Sequence, residues 1–263
     1  LVASCVYPAE EGMEVLTNTP KVRASRKTTI ELILSSHHKK CLSCVRGNNC
    51  ELQKLAFDYG VDEDRFKGED IVYPLDELSP YIVRDNNKCI QCMRCVAACK
   101  NVQSVSVIGP IKRGYHVHVG CAFEKSLADS PCVGCGQCIV ACPVGALNEK
   151  SQIDAVWDAI SDPKKKVVFF TAPSIRATLG ESFGMPIGTN VEGKMVAAIR
   201  RLGVDAVFNM DVTADLTIME EAHEFVERVK KKGTLPMFTS CCPGWIKFVE
   251  HYFPEMIPNL STC

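Results

Sequence analysis

Sixteen of the 263 residues are cysteine, and their spacing indicates a use for them. Cys89, Cys92, Cys95 and Cys99 read C-x2-C-x2-C-x3-C, and Cys132, Cys135, Cys138 and Cys142 repeat the pattern, followed by Pro143. Thiols two residues apart sit on one tight turn. They are badly placed to reach separate disulfide partners and well placed to face one soft metal centre. The run C-x2-C-x2-C-x3-C-P is the bacterial ferredoxin signature for a 4Fe–4S cluster, and in two-cluster units the fourth Cys of each run ligates the other cluster. The spacing therefore predicts one cluster on Cys89, Cys92, Cys95 and Cys142, and a second on Cys132, Cys135, Cys138 and Cys99. Lys100 stands where the first run would carry its Pro, which leaves all four ligands in place. Two zinc ribbons are the competing reading. Zinc closes a site with four ligands, often two C-x2-C pairs, and leaves the third and fourth Cys of each run unexplained.

Upstream, His37, Cys41, Cys44 and Cys50 read H-x3-C-x2-C-x5-C. One imidazole with three thiolates suits a structural zinc ion or a His-ligated 4Fe–4S cluster, and beside two ferredoxin runs the cluster is the better reading. His38 competes with His37 for the role. Cys121 reads as a buried small hydrophobe, and Cys5 has no partner nearby in sequence. Cys241 and Cys242 are adjacent in the segment TSCCPGW, residues 239–245. Adjacent cysteines cannot pair without severe strain, so these two thiols are expected to do different jobs.

The elements that must position these groups are legible in outline. Residues 28–37 are predicted as a short helix, apolar at Ile30, Leu32, Ile33 and Leu34, delivering the His to its loop. From Ser151 the texture changes to alternating helix and strand. Ser151 and Asp154 make a capping-box-like start, 166–171 reads as a buried strand, and Asn190 caps a helix ended by Gly203. Residues 205–209 read as a second strand, 216–232 as a long amphipathic helix with lysines at its C-terminus, and 236–239 as a third short strand. That alternation predicts a parallel α/β sheet. Groups beyond the carboxyl ends of its strands, 171–174 and 239–245, would then face one crevice. Neither common Gly-rich phosphate loop is present.

Lys plus Arg number 30 against 31 for Asp plus Glu, a net charge of −1, so nothing electrostatic argues for nucleic acid or an anionic membrane as partner. The longest apolar stretches, such as 167–173, fall far short of the roughly 18 residues of a spanning helix. The chain begins without Met and stops at Cys263 soon after a Pro- and Cys-rich stretch, so it is expected to be an internal fragment with its true N-terminus missing.

The order H-x3-C-x2-C-x5-C, two ferredoxin runs, TAPSIR (171–176) and TSCCPGW closely resembles the iron-iron hydrogenases of the larger multi-cluster type, over essentially the whole chain. The NAD(P)-linked and electron-bifurcating members are included in that likeness. The resemblance implies a modular α+β iron–sulfur protein. Residues 1–27 would be the remnant of a plant-type 2Fe–2S domain plus linker, with 1–8 its last strand and Cys5 its fourth ligand. Residues 28–78 would be the His-ligated 4Fe–4S module and 79–150 the two-cluster ferredoxin-like domain. Residues 151–263 would be the first, incomplete part of the catalytic domain.

In that family the active site, the H-cluster, is a 4Fe–4S cluster bridged by a cysteine to a two-iron unit. The resemblance assigns Cys242 to the 4Fe–4S part and Cys241 to the acid that passes protons, which fits a thiolate fixed on iron beside one left free. It continues the proton path through Glu221, Glu224, Arg228 and Ser261, and places Ala172, Pro173 and Ser174 in the loop cradling the diatomic ligands. Glu221, Glu224 and Arg228 can share one helix face, whose ordinary reading is a solvated, ion-paired surface. The other three cysteine ligands of the active-site cluster are expected beyond residue 263, so this stretch alone is expected to be inactive. Implied cofactors are three 4Fe–4S clusters, with the H-cluster and a 2Fe–2S cluster in the complete protein. Implied partners are ferredoxin or NAD(P)H-oxidising flavoprotein subunits, in an anaerobic cytoplasm. A non-catalytic electron-transfer subunit of the complex I kind would explain 28–150 but not TAPSIR or TSCCPGW. A hydrogenase-like iron–sulfur assembly protein is the other rival.

Overall fold

The side chain of Thr19 accepts from the Val22 N–H and Pro20 occupies the first turn, so helix α1 starts well before the apolar stripe that announces it. In the computed structural model, which describes residues 1–263, α1 runs Pro20–Ser35 and buries Ile30, Glu31 and Leu34. This corrects the expected 28–37 helix at both ends. His37 stands just beyond the helix, its N–H donating to the Leu34 carbonyl at 3.3 Å. Residues 1–8 form turns instead of the expected strand, with Val6 and Tyr7 both donating to the Ala3 carbonyl.

The chain divides into two compact units, Leu1–Lys150 and Ser151–Cys263. In the first, α2 (Glu51–Asp58) packs Leu52 into the same core as Ile30 and Leu34. There follow β1 (Ile82–Arg84), α3 (Arg94–Ala97), β2 (Ile108–Ile111), β3 (His118–Cys121), α4 (Gln137–Ala141) and β4 (Leu147–Glu149). Strands β1 and β4 pair antiparallel, as do β2 and β3. Each cysteine run is a loop that opens into a short helix, α3 carrying Cys95 and α4 carrying Cys138. The two loops share a backbone signature. The second and fourth residues after the first Cys have positive φ, 53° at Gln91 and 59° at Met93, 68° at Gly134 and 74° at Gly136. Glycine takes that conformation freely; Gln91 and Met93 take it at a steric cost the fold must offset.

The second unit contains α5 (Ile153–Ser161), β5 (Val168–Thr171), α6 (Ile175–Thr178), α7 (Glu192–Arg201), β6 (Ala206–Asn209), α8 (Met210–Lys231) and α9 (Pro243–Tyr252). Strands β5 and β6 run parallel, from Val168 opposite Ala206 to Thr171 opposite Asn209. Helix α8 begins six residues earlier than its apolar pattern suggests, because the Asn209 side chain caps the Asp211 N–H at 3.1 Å. The third strand is not formed. Phe238 makes a single parallel bridge to Leu260, far along the chain, and Pro236 has no N–H to extend a ladder. The sheet therefore has two strands, and the order that would have set 171–174 and 239–245 over one crevice does not arise. No helix is long and apolar enough to cross a membrane.

Candidate metal centres and proton string

Cys89, Cys92, Cys95 and Cys142 line one cavity, joined by Arg84 and Val144. Burial pushes the Cys95 thiol up to about 12, reinforced by Cys89, Cys142 and Cys92, so the four thiols feel one another. Burial likewise raises Cys138 to about 12, with Cys132, Cys135, Cys95 and Cys99 as its thiol neighbours. The fourth Cys of each run thus stands with the first three of the other. Backbone donors favour negative sulfur in both loops: the Gln91 N–H reaches Cys89 Sγ at 3.4 Å, and the Gly134 backbone does the same for Cys132. No three His, Cys, Asp or Glu side chains converge tightly enough to hold a single metal ion. The four thiols of the first set surround a space instead, a donor arrangement suited to several irons with bridging sulfides.

His37, His38, Cys41, Cys44 and Cys50 line a second cavity with Gly145. His37 Nδ1 is buried with no partner, while the ring keeps a hydrogen bond to the Lys88 backbone. One nitrogen on the backbone and the other open is how a ligating imidazole is oriented. Burial holds His37 below its ordinary value, favouring the neutral ring. Burial also raises Cys41, helped by Cys50, Cys44 and Glu63. Arg46 Nη2 donates to the carbonyls of Ile139 at 3.2 Å and Cys142 at 3.1 Å, tying this loop to the second ferredoxin run. Cys5 is exposed.

In the second unit, α8 presents Glu221, Glu224 and Arg228 toward the segment after α9. Ser261 Oγ donates to Glu221 Oε1 at 2.6 Å and lies 2.9 Å from Ser240 Oγ, next in sequence to Cys241. Glu224 accepts from the Thr262 N–H and hydroxyl, both at 2.9 Å, and from Arg228 Nε and Nη2 at 3.0 and 2.5 Å. The Thr262 N–H and Arg228 hold the Glu224 carboxyl below its usual range. Arg228 also donates to the Leu260 carbonyl at 2.6 Å. This face is therefore cross-linked to 258–262, not simply solvated. Cys241 and Cys242 are exposed, Cys242 at the cap of α9. Ala172, Pro173 and Ser174 form the exposed turn into α6, with the Ala172 carbonyl accepting from Ile175 at 3.1 Å. Cys241, Cys242 and Cys263 are the thiols of this unit, and they do not complete a four-cysteine set. The structure adds Ser240, Thr262 and Arg84 to the residues at these sites. The first lies inside TSCCPGW, while the other two have no sequence signal.

Residues 165–263 match the family described as iron only hydrogenase large subunit, C-terminal domain. This stretch belongs to the iron-only hydrogenase family. Ahead of this hydrogenase domain, residues 26–65 match the NADH-ubiquinone oxidoreductase-G iron-sulfur binding region. Residues 79–148 match the ferredoxin-like domain of NADH-quinone oxidoreductase subunit 3. The chain is 46% identical to the NADP-reducing hydrogenase subunit HndD of Solidesulfovibrio fructosivorans, over 100% of this chain and 46% of that protein. It is 43% identical to iron hydrogenase 1 of Clostridium pasteurianum, over 100% of this chain and again 46% of the relative. A solved NAD+-reducing [NiFe]-hydrogenase in the H2-reduced state matches with a TM-score of 0.54 and 27% identity, over 57% of this chain and 64% of that one. The chain thus spans about half the length of the curated relatives it matches. Ferredoxin-like iron–sulfur modules precede hydrogenase catalytic-domain sequence.

Proposed function

We propose that this chain carries the electron-delivering clusters and the proton-delivering string of an iron-iron hydrogenase, which reversibly reduces protons to dihydrogen. The observation that carries this reading is the hydrogen-bonded string Ser240–Ser261–Glu221, which starts one residue from Cys241. A complex I type of subunit would have no use for it.

Cys241 keeps an exposed thiol that can hold a proton at Sγ while Cys242 serves as a metal ligand. The Ser261 hydroxyl donates to Glu221 beside Ser240 Oγ, whose own hydroxyl donates to the Cys263 carbonyl, so a proton passes along the string when these hydroxyls rotate, without moving a heavy atom. Glu221 receives it at Oε1. Glu224, held ionised by Thr262 and Arg228, fixes the 260–262 backbone that positions Ser261.

In the first unit Cys89, Cys92, Cys95 and Cys142 would hold one 4Fe–4S cluster, and Cys132, Cys135, Cys138 and Cys99 a second. His37, Cys41, Cys44 and Cys50 would hold the third. When bound, these clusters supply one-electron transfer at low potential. The crossed thiol sets and the open His37 Nδ1 support this donor assignment. Cys242 is our assignment toward the H-cluster, and Ala172, Pro173 and Ser174 toward its loop, both on the resemblance; so is Cys5 toward a 2Fe–2S cluster. The electron partner is ferredoxin or an NAD(P)H-oxidising flavoprotein subunit, and the name of the Solidesulfovibrio relative favours the second. Low-potential clusters and free thiols suit a reducing, anaerobic cytoplasm.

The test is total iron, acid-labile sulfide and zinc per chain after anaerobic purification and cluster reconstitution. About twelve irons with matching sulfide is the expected result. Little iron with roughly one to three zinc ions overturns the redox reading. In the assembled enzyme Cys241→Ser should abolish dihydrogen evolution from a reduced dye with cluster content unchanged; undiminished evolution would assign the proton step elsewhere.

A further inference from the structure

Arg84 is 8% exposed, on strand β1, and lines the cavity of Cys89, Cys92, Cys95 and Cys142. It is clamped against Asp76 through backbone and side chain alike. The Asp76 N–H donates to the Arg84 carbonyl at 3.0 Å, the Arg84 N–H returns the bond at 2.9 Å, and Nη2 meets Asp76 Oδ2 at 2.9 Å. Nη1 lies 3.9 Å from Cys121 Sγ, a buried thiol that neither cluster set uses. The Arg84 Nε–H, also buried, has no partner.

Two features make this more than a structural ion pair. Asp76 does not serve Arg84 alone, for it also accepts from Ser126 Oγ at 2.5 Å and the Leu127 N–H at 3.1 Å. Its carboxylate is divided among these donors and reaches the guanidinium only at Nη2, leaving Nε outside the pair. The guanidinium stands in the wall of the same cavity as the four thiols of the Cys89 set. The second feature is the orphaned N–H. A buried donor without an acceptor is costly and rare, and a guanidinium cannot shed the proton to escape the cost. Besides Arg84 and Asn86, the cavity is walled by sulfur and apolar side chains, and none of them takes the Nε–H.

We propose that Arg84 is a positioning residue for the cluster on Cys89, Cys92, Cys95 and Cys142, donating from Nε to a sulfur of that centre and raising its reduction potential with a fixed buried charge. The inference rests on the cluster reading above. Hydrogen bonds to sulfur and nearby charge are among the levers that set such potentials. Reduction adds one electron from the electron partner, and the permanent cation stabilises the more negative state. Arg84 itself exchanges neither proton nor electron. Of the two ferredoxin-type centres, the one beside Arg84 becomes the easier to reduce.

The experiment is an EPR-monitored redox titration of the reconstituted full chain, with iron and sulfide counted in every sample. Arg84→Gln should keep the metal content and lower one cluster's reduced-to-oxidised ratio at fixed potential on the order of tenfold, about 59 mV for a one-electron couple. The other signals should stay put. Arg84→Lys, which keeps the charge and loses the fork, should recover most of the shift. Asp76→Asn, which leaves the cation less compensated, should move the same signal the opposite way. Unmoved midpoints in a fully loaded Arg84→Gln overturn the proposal. Should that variant fail to load, unmoved midpoints in Asp76→Asn overturn it instead. A wild-type chain that takes up zinc and no iron defeats the cluster reading itself, a different failure visible before any titration.

Discussion

Cys44 Sγ lies against the position where a side chain at residue 145 would begin: a Cβ on Gly145 would stand 2.5 Å from that sulfur. Gly145 follows Val144, and Val144 lines both the cavity of the His37 set and that of Cys89, Cys92, Cys95 and Cys142. One short stretch after Cys142 thus walls two candidate metal sites. The absent Cβ gives the Cys44 sulfur its place.

Gly145→Ala separates folding from loading. In the metal-free chain the Cys44 side chain can rotate away from a new methyl, so the fold should survive. A sulfur bonded to iron cannot. The variant should load about eight irons in place of about twelve and lose one EPR signal, with the ferredoxin-run signals intact. Full loading would show that Cys44 is not a ligand in the position seen here.

Burial and partners favour His37 over His38 as the candidate ligand. The His37 ring has an open buried nitrogen, while His38 is anchored through its backbone N–H, which donates to the Asn87 carbonyl at 2.9 Å. His37→Ala should therefore cost about four irons per chain and His38→Ala none. His37→Cys should restore much of the loading, since a thiolate can replace the imidazole. The reverse pattern between the two alanine variants would reassign the ligand to His38.

Glu31 sets an acid limit on the first unit. Its side chain is 1% exposed, and although burial pushes its carboxyl up, the Asp62 N–H and Arg65 together hold it below its ordinary 4.5. A carboxyl lowered in the folded state contributes stability that is complete above its unfolded value and drains as pH falls through the folded one. Thermal midpoints of the metal-free chain should fall as pH drops from about 7 to below about 4. Glu31→Gln should start lower at neutral pH and lose less on acidification. Parallel pH curves for the two proteins would show that Glu31 is not a source of the acid sensitivity.

The parts of this molecule that could be read from sequence are those whose chemistry is local. The ferredoxin runs are legible because their first three cysteines sit on one loop, whereas the caps at Thr19 and Asn209 are passed over because their helices extend beyond the apolar stripes. The strand expected at 236–239 failed because its neighbour is Leu260, with a single bridge between them. Arg84 carries no motif, and its burial comes from Asp76 and from strands folded over it. Likewise Glu221, Glu224 and Arg228 have the spacing of a solvated helix face. Only Ser261, forty positions on from Glu221, turns that face into part of a string.

That string yields the sharpest test of the proton path. Ser261 is 7% exposed and its Oγ bridges Ser240 Oγ and Glu221 Oε1. Ser261→Ala removes one oxygen, leaves every candidate metal ligand in place and interrupts the only link here between Ser240 and Glu221. In the assembled hydrogenase it should lower dihydrogen turnover by roughly 10²–10⁴-fold, the usual contribution of a positioned proton-transfer group, with iron content and EPR signals unchanged. Ser261→Thr keeps the hydroxyl and should recover most of the rate. A Ser261→Ala enzyme that turns over at the wild-type rate would mean that protons reach Cys241 by another route, leaving Glu221 and Ser261 as a structural clasp between α8 and the segment that follows α9.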